Sequence, residues 1–350
     1  MDEFDAVVAG GGPAGSAAAI ALARRGARVA LADAGAQDAR VGEALPPAVR
    51  PLLRDLGVLE RFEAEGHLPS HGTTAAWGGE QLDHDFVLDP NGSGWHLDRS
   101  RFDAFLRDEA ERAGATLLQG VRMRSAQRAS GGWKVTAESG GARERVVLRS
   151  AALVDATGRS AALARSCGAQ RQRRDHLVCV FARLAPAGCD HDARTAVEAA
   201  PDGWWYSALL PDRTRLTSHL TDSDLLPRGL RSPAGFAAAL QRTQLLRSGR
   251  LVTRPRVVAA HGSVLTPPAG DGWVAVGDAA LAFDPLSSQG LLNALFTGLA
   301  AADALATDTP GAYAQRLGVI ERSYRRARLT YYGTERRWAD RPFWARRRGA

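Results

Sequence analysis

Lysine is all but missing from this 350-residue chain: Lys134 is the only one, so nearly every positive charge is an arginine. Any chemistry that needs an amine therefore has a single candidate. Cysteine is scarce as well, and Cys167, Cys179 and Cys189 share no CxxC spacing and sit near no histidine pattern of the zinc type, which argues against a disulfide framework and a metal site. They read as buried thiols. No run reaches the ~18 apolar residues of a membrane span. Asp2 and Glu3 precede the first apolar residues, where a secretory signal would carry positive charge, so the expectation is a reduced, cytoplasmic protein. The net charge of +7 is spread along the chain and forms no long basic run, which disfavours nucleic acid as a partner.

What is present is a hydrophobic content of 45%, enough for a sizeable core. Residues 4–9 form an apolar strand, 10–15 a glycine turn, 16–25 a helix and 27–32 a second strand, which together make a βαβ unit. Amphipathic helices are predicted over 48–56 and 100–113, closed by Gly57 and Gly114. Short strands follow at 116–118, 122–128, 133–137 and 145–148. Between 171 and 265 the pattern changes to alternating runs at 177–184, 195–199, 204–210 and 215–220, which predicts an antiparallel sheet. From Trp273 the strand, turn and long-helix pattern returns, with the helix over 291–305. The tail from Gly311 is helical, rich in arginine and dotted with Trp338, Phe343 and Trp344. It reads as a solvated helix with a fraying end, or as a grip for a peptide, a partner protein or an anionic surface.

Gly10, Gly12 and Gly15 satisfy GxGxxG, with Ala14 between them: one glycine for the tight turn, one for close backbone approach to a pyrophosphate, one for helix packing. The helix N-terminus then offers free amides and its positive dipole to phosphates. Asp33, 18 residues beyond Gly15, ends the next strand where a carboxylate can accept from ribose hydroxyls. Two later turns follow strands of their own: one holds Asp155, Ala156 and Gly158, the other Gly277 and Asp278. In the second, glycine admits close approach of a flavin and the aspartate can accept from a ribityl hydroxyl. Pro285, Ser288, Gln289, Gly290 and Leu291 then open a helix whose amides can face a flavin pyrimidine edge, where negative charge gathers on reduction.

The order GxGxxG, Gly42-Glu43-Ala44, Asp155-Ala156-Thr157-Gly158 and Gly277-Asp278-Ala279-Ala280 with Asp284-Pro285 and Ser288-Gln289-Gly290 resembles the class A flavoprotein monooxygenase superfamily, in its halogenase-like branch. Within it, residues 42–47 and 203–211 are most similar to the flavoproteins that mature the tryptophylquinone of lysine and glycine oxidases. The resemblance implies an α/β fold: a discontinuous Rossmann-like FAD-binding domain (1–68, 89–170 and 266–310), an inserted antiparallel-sheet substrate domain (69–88 and 171–265) and a helical C-terminal segment (311–350). It implies FAD as cofactor, O2 as co-substrate, electrons from NAD(P)H or a separate flavin reductase, and hydroxylation of an indole or phenol, free or carried on a peptide or protein, through a flavin C4a-hydroperoxide.

Halogenases of the branch need a lysine downstream of the Glu43 segment and a WxWxIP segment. Residues 47–95 hold no lysine, and Trp204-Trp205-Tyr206-Ser207-Ala208-Leu209 keeps the aromatics without the pattern. His71 is the polar candidate there for a catalytic role, against a structural histidine. Arg99 and Arg40 are candidates to meet the flavin nucleotide. Glu43, with Ala44, would lie beside the isoalloxazine, or bond only to backbone amides of its own turn. Pro285 and Gln289 join His71 and Glu43 as catalytic candidates. On a strand Trp204 and Tyr206 share one face and Trp205 takes the other, so one face can line an aromatic pocket. Trp77, Trp95 and Phe283 are further candidates for that pocket. A flavin dehydrogenase or oxidase, a lysine-lacking halogenase and a flavin-bearing scaffold stay open as alternatives.

Overall fold

The computed structural model describes residues 3–35, 41–140, 145–186, 190–307 and 309–348. An apolar strand, Glu3–Ala9, lies near the middle of an eight-stranded sheet, parallel to Val29–Asp33 on one side and to Arg145–Asp155 on the other. Trp273–Ala275 and Thr116–Gln119 extend the parallel set outward. The strands Val121–Ala129 and Gly132–Ser139 hang from the first half of Arg145–Asp155 as an antiparallel pair. Such a sheet is covered on both faces, which explains why its central strands read as continuous apolar runs without alternation.

The helix after the glycine turn, Pro13–Ala23, is alanine-rich and buried almost throughout. The small side chains let the long helix Gly290–Ala306 cross it closely: a Cβ on Gly298 would come within 2.5 Å of the Ala14 carbonyl oxygen. The predicted helix over 48–56 is present as a short 3-10 turn, Pro47–Val49, running into Arg50–Asp55, because Pro51 supplies no amide to the first turn. The helix Arg99–Arg112 begins with the Asp98 carboxylate accepting from the Arg101 amide.

The second large sheet orders Gly249–Leu251, Leu177–Pro186, Arg215–Asp222, Gly203–Leu209, Thr195–Ala200, Gly72–Trp77 and Glu80–Asp85, with Arg256–Ala259 also on Leu177–Pro186. It is antiparallel except where Thr195–Ala200 runs parallel to Gly72–Trp77. Its two faces carry separate apolar clusters, one around Trp204 and the other around Trp205 and Phe236.

The tail corrects the expectation of a solvated, fraying end. The helices Pro310–Thr334 and Pro342–Arg348 fold back so that Tyr332, Phe343 and Trp344 are fully buried against Trp77 and Trp204. Arg347 is buried with them and donates to both oxygens of Asp222, at 2.7 and 3.2 Å. Aromatics interleaved with arginines look solvated in sequence, but here the guanidinium lies over the Phe343 ring, 3.6 Å from its centre, and its charge is matched. Among the described residues no helix is long and apolar enough to cross a membrane.

Candidate functional site

Four strand ends build the site. Ala9 pairs with Asp155 and with Ala32, and Asp155 pairs with Ala275, so the turns that follow these residues leave the same edge of the parallel sheet side by side. This is the carboxyl edge, where open α/β sheets place their ligands. Gly10 has φ +115°, and a Cβ there would lie 2.2 Å from the Ala156 carbonyl oxygen. A Cβ on Gly277, at φ +56°, would meet the Ala14 methyl at 2.7 Å. The three turns are thus nested into one another, and only glycine allows the fit. Gly15 lies beneath this surface, where a Cβ would strike the Gly10 carbonyl.

Above the turns is a cavity of about 730 Å³, lined from Asp33 at one end, past Gly10, Gly11, Gly12 and Ala14, to Asp278, Pro285, Ser288, Gly290 and Leu291 at the other. Its volume falls within the ~300–1,000 Å³ usual for cofactor sites. Asp33 is held by Arg107 at 3.2 Å, and Asp278 by Arg159 at 3.4 Å. Among the described residues no side chain caps the Pro13–Ala23 helix or Gly290–Ala306, which leaves the first amides of both open to a ligand. Ala156 and Gly158 are on the wall. Asp155 is not: its Oδ1 accepts from the Thr157 amide and hydroxyl at 2.9 and 2.6 Å, and its Oδ2 from the Ala164 amide at 2.7 Å. Both its oxygens bond to groups of its own turn and the helix after it, so in this structure it shapes the turn and does not line the cavity.

Glu43 lines the cavity, as do Ala44 and Arg99. Its Oε2 accepts from the Gly42 amide at 2.9 Å, and burial pushes its carboxyl up to about 7 against the opposing pull of Arg99. Arg99 donates to the carbonyls of Val41 and Gly42 at 3.1 and 2.9 Å and to Asp103 at 3.3 Å, so it clamps the loop that carries Glu43. Its Nε is buried and, among the described residues, has no hydrogen-bond partner. Arg40 lies outside the described residues.

The second sheet forms the opposite wall. Trp204, Tyr206, Leu216, Ser218 and Leu220 face the cavity together, because Trp204 pairs with Leu220, Tyr206 with Ser218, and alternate residues share a face. Cys179, whose thiol burial pushes up to about 12, and residues 258–260 complete it. These last residues escaped the sequence reading, although the period of two through Leu216, Ser218 and Leu220 was there to be matched to Trp204 and Tyr206. Phe283 is on the wall and stacks on Tyr324 at 4.4 Å.

Other candidates lie elsewhere. Trp205 takes the far face and packs edge-on to Phe236 at 5.4 Å. Trp77 is buried beside Tyr332 and Trp344, its indole donating to the Tyr331 carbonyl at 2.8 Å. Trp95 packs under Arg50 and against Phe62. His71 is exposed and borders a separate surface groove with His191 and Arg194, outside the cavity. Gln289 is exposed and off the cavity wall, since the turn at Ser288, φ +49°, directs the chain into the helix just after it. Among the described residues no cluster of His, Cys, Asp or Glu suits a metal ion.

The nested glycine turns, the uncapped helix N-termini, the carboxylate of Asp33 at one end of the cavity and the buried Arg99 Nε, unpartnered among the described residues, fit a flavin dinucleotide. Residues 3–196 match the family model described as FAD binding domain. The chain is 30% identical to a protein named as an FAD-dependent oxidoreductase, LodB of Marinomonas mediterranea, over 99% of this chain and 97% of that one. It is 28% identical to a 1H-pyrrole-2-carbonyl-[peptidyl-carrier protein] chlorinase of Pseudomonas fluorescens, over 84% of this chain and 73% of the chlorinase. Its structure is similar to that of the peptidyl tryptophan dihydroxylase QhpG, with a TM-score of 0.81 and 29% identity over 99% of this chain and 78% of that one. The chain belongs to the FAD-binding-domain family and is an FAD-dependent oxidoreductase of the class A, halogenase-like branch.

Proposed function

We propose that the protein is a monooxygenase that hydroxylates an electron-rich aromatic ring, first of all an indole carried on a peptide or protein. The observation that carries this reading is an aromatic and apolar wall without an amine: the single lysine, Lys134, is exposed on the strand Gly132–Ser139 and does not line the cavity. A halogenase of the branch would need that amine to hand on its oxidant. The likeness to a peptidyl tryptophan dihydroxylase supports an indole on a polypeptide, with a free small aromatic second.

FAD, when bound, supplies the electron transfer and the activation of O2, with electrons from NAD(P)H or a flavin reductase. The chain supplies position and exclusion of water. Gly10, Gly12, Ala14, Asp33, Arg99, Ala156, Gly158, Asp278, Ser288 and Leu291 would hold the dinucleotide, and the amides at the start of Gly290–Ala306 would favour negative charge on its ring. Glu43, poised near neutrality, can hold a proton on its carboxyl at the cavity wall. We assign the parallel sheet to the cofactor and the second sheet to the substrate.

The test supplies reduced FAD, O2 and bromide together with tryptophan-bearing peptides, tyrosine-bearing peptides and free tryptophan, and follows products by mass spectrometry. Products with one or two added oxygen atoms are expected. A bromine isotope pattern, or consumption of O2 with every aromatic unchanged, rejects the reading.

A further inference from the structure

The helix Pro310–Thr334 presents Tyr324, Arg328 and Tyr332 at intervals of four, hence on one face, and all three bear on one residue. The Asp284 amide donates to the Tyr324 hydroxyl at 2.7 Å, Arg328 Nε donates to Asp284 Oδ2 at 3.4 Å, and the Tyr332 hydroxyl donates to the same oxygen at 2.8 Å. Asp284 Oδ1 accepts from the Leu286 amide at 3.0 Å and so closes the turn that leads to Ser288 and Gly290. Asp284 is on the cavity wall; Tyr332 is not. The Tyr332 hydroxyl has a second bond, accepting from Trp204 Nε1 at 3.1 Å. One buried oxygen therefore touches both the loop that opens the long helix and the aromatic wall opposite.

We propose that Tyr332 is a positioning residue whose hydroxyl couples the Trp204 wall to the pose of the Asp284–Gly290 loop against the flavin. Burial drives the phenol far above its ordinary range, so it stays a proton donor throughout the working pH. The donor spreads the charge of Asp284, and the bond from Trp204 polarises the hydroxyl and strengthens its donation. With the hydroxyl gone, the carboxylate keeps its charge concentrated near the cavity, which opposes build-up of negative charge on the ring during reduction. The coupling to substrate rests on the proposed function; the effect on the flavin does not.

The experiment compares FAD-loaded wild type with Tyr332→Phe, Trp204→Phe and the double variant, measuring flavin midpoint potential and visible spectrum without substrate. Tyr332→Phe is expected to disfavour the reduced form by about tenfold, about 30 mV more negative for a two-electron couple. Trp204→Phe should shift it the same way by less, and add nothing in the Tyr332→Phe background. Tyr331→Phe, at a residue 58% exposed, should match wild type. An unchanged potential and spectrum in Tyr332→Phe, or additive shifts in the double variant, overturns the proposal. Should Tyr332→Phe fail to fold, Trp204→Phe decides: a negative shift supports the coupling and no shift overturns it. Because these readouts need no substrate, they stand apart from failure to find a hydroxylated product.

Discussion

Replacing Glu43 by glutamine separates charge from shape on the cavity wall. Glutamine keeps an oxygen for the Gly42 amide but cannot ionise. In the unfolded chain the carboxyl loses its proton near 4.5, whereas burial holds it to about 7 in the folded protein. The folded pKa lies above the unfolded one, so the stabilisation is complete below about 4.5 and is lost as pH rises through about 7. Every pH unit that separates the two titrations is worth ~1.4 kcal/mol, which makes the full loss about 3 kcal/mol by pH 8, most of it above pH 5. Chemical denaturation of FAD-free wild type and Glu43→Gln at pH 5, 6.5 and 8 measures this directly. The two should be close at pH 5, and the variant should be more stable by about 2–3 kcal/mol at pH 8. Curves that fall in parallel from pH 5 to 8 would show that Glu43 ionises freely in the folded chain.

Gly10→Ala places a methyl against the Ala156 carbonyl in a left-handed backbone, and should weaken FAD retention at least about tenfold, read from flavin absorbance after dialysis. Trp205→Ala should cost about 3–5 kcal/mol of stability yet leave FAD binding intact, whereas Trp204→Ala should raise KM for the aromatic substrate. Arg347→Met strips a buried carboxylate of its main partner and should lower stability by about 3 kcal/mol; adding Asp222→Asn should restore part of it in the same denaturation assay.

The glycine turns were legible because their constraint is local: a positive φ or a close backbone contact leaves one residue type, and strand, turn and helix adjoin in the chain. Trp204, Tyr206 and Trp205 were separable by face for a similar reason, since alternation along a strand needs no tertiary knowledge. Asp155 shows where that reasoning stops. A carboxylate in a turn can serve a ligand or its own amides, and only the Thr157 and Ala164 amides decide for the latter. Trp77 and His71 lie off the cavity because membership of a cavity depends on which strand lies beside which: Gly72–Trp77, with His71 just before it, is two strands away from Gly203–Leu209. The burial of Arg347 was hidden because its partner, Asp222, is 125 positions earlier.

The return of the Pro342–Arg348 helix to a sheet made far earlier imposes an order of events on synthesis. Until that helix leaves the ribosome, the indole of Trp77 lacks the Trp344 ring that packs edge-on to it and is left partly to water, on a sheet whose strands are otherwise ready to pair. A chain interrupted before residue 342 would keep that sticky ring partly in the open, which makes the soluble yield of shortened chains hostage to their final turns of helix.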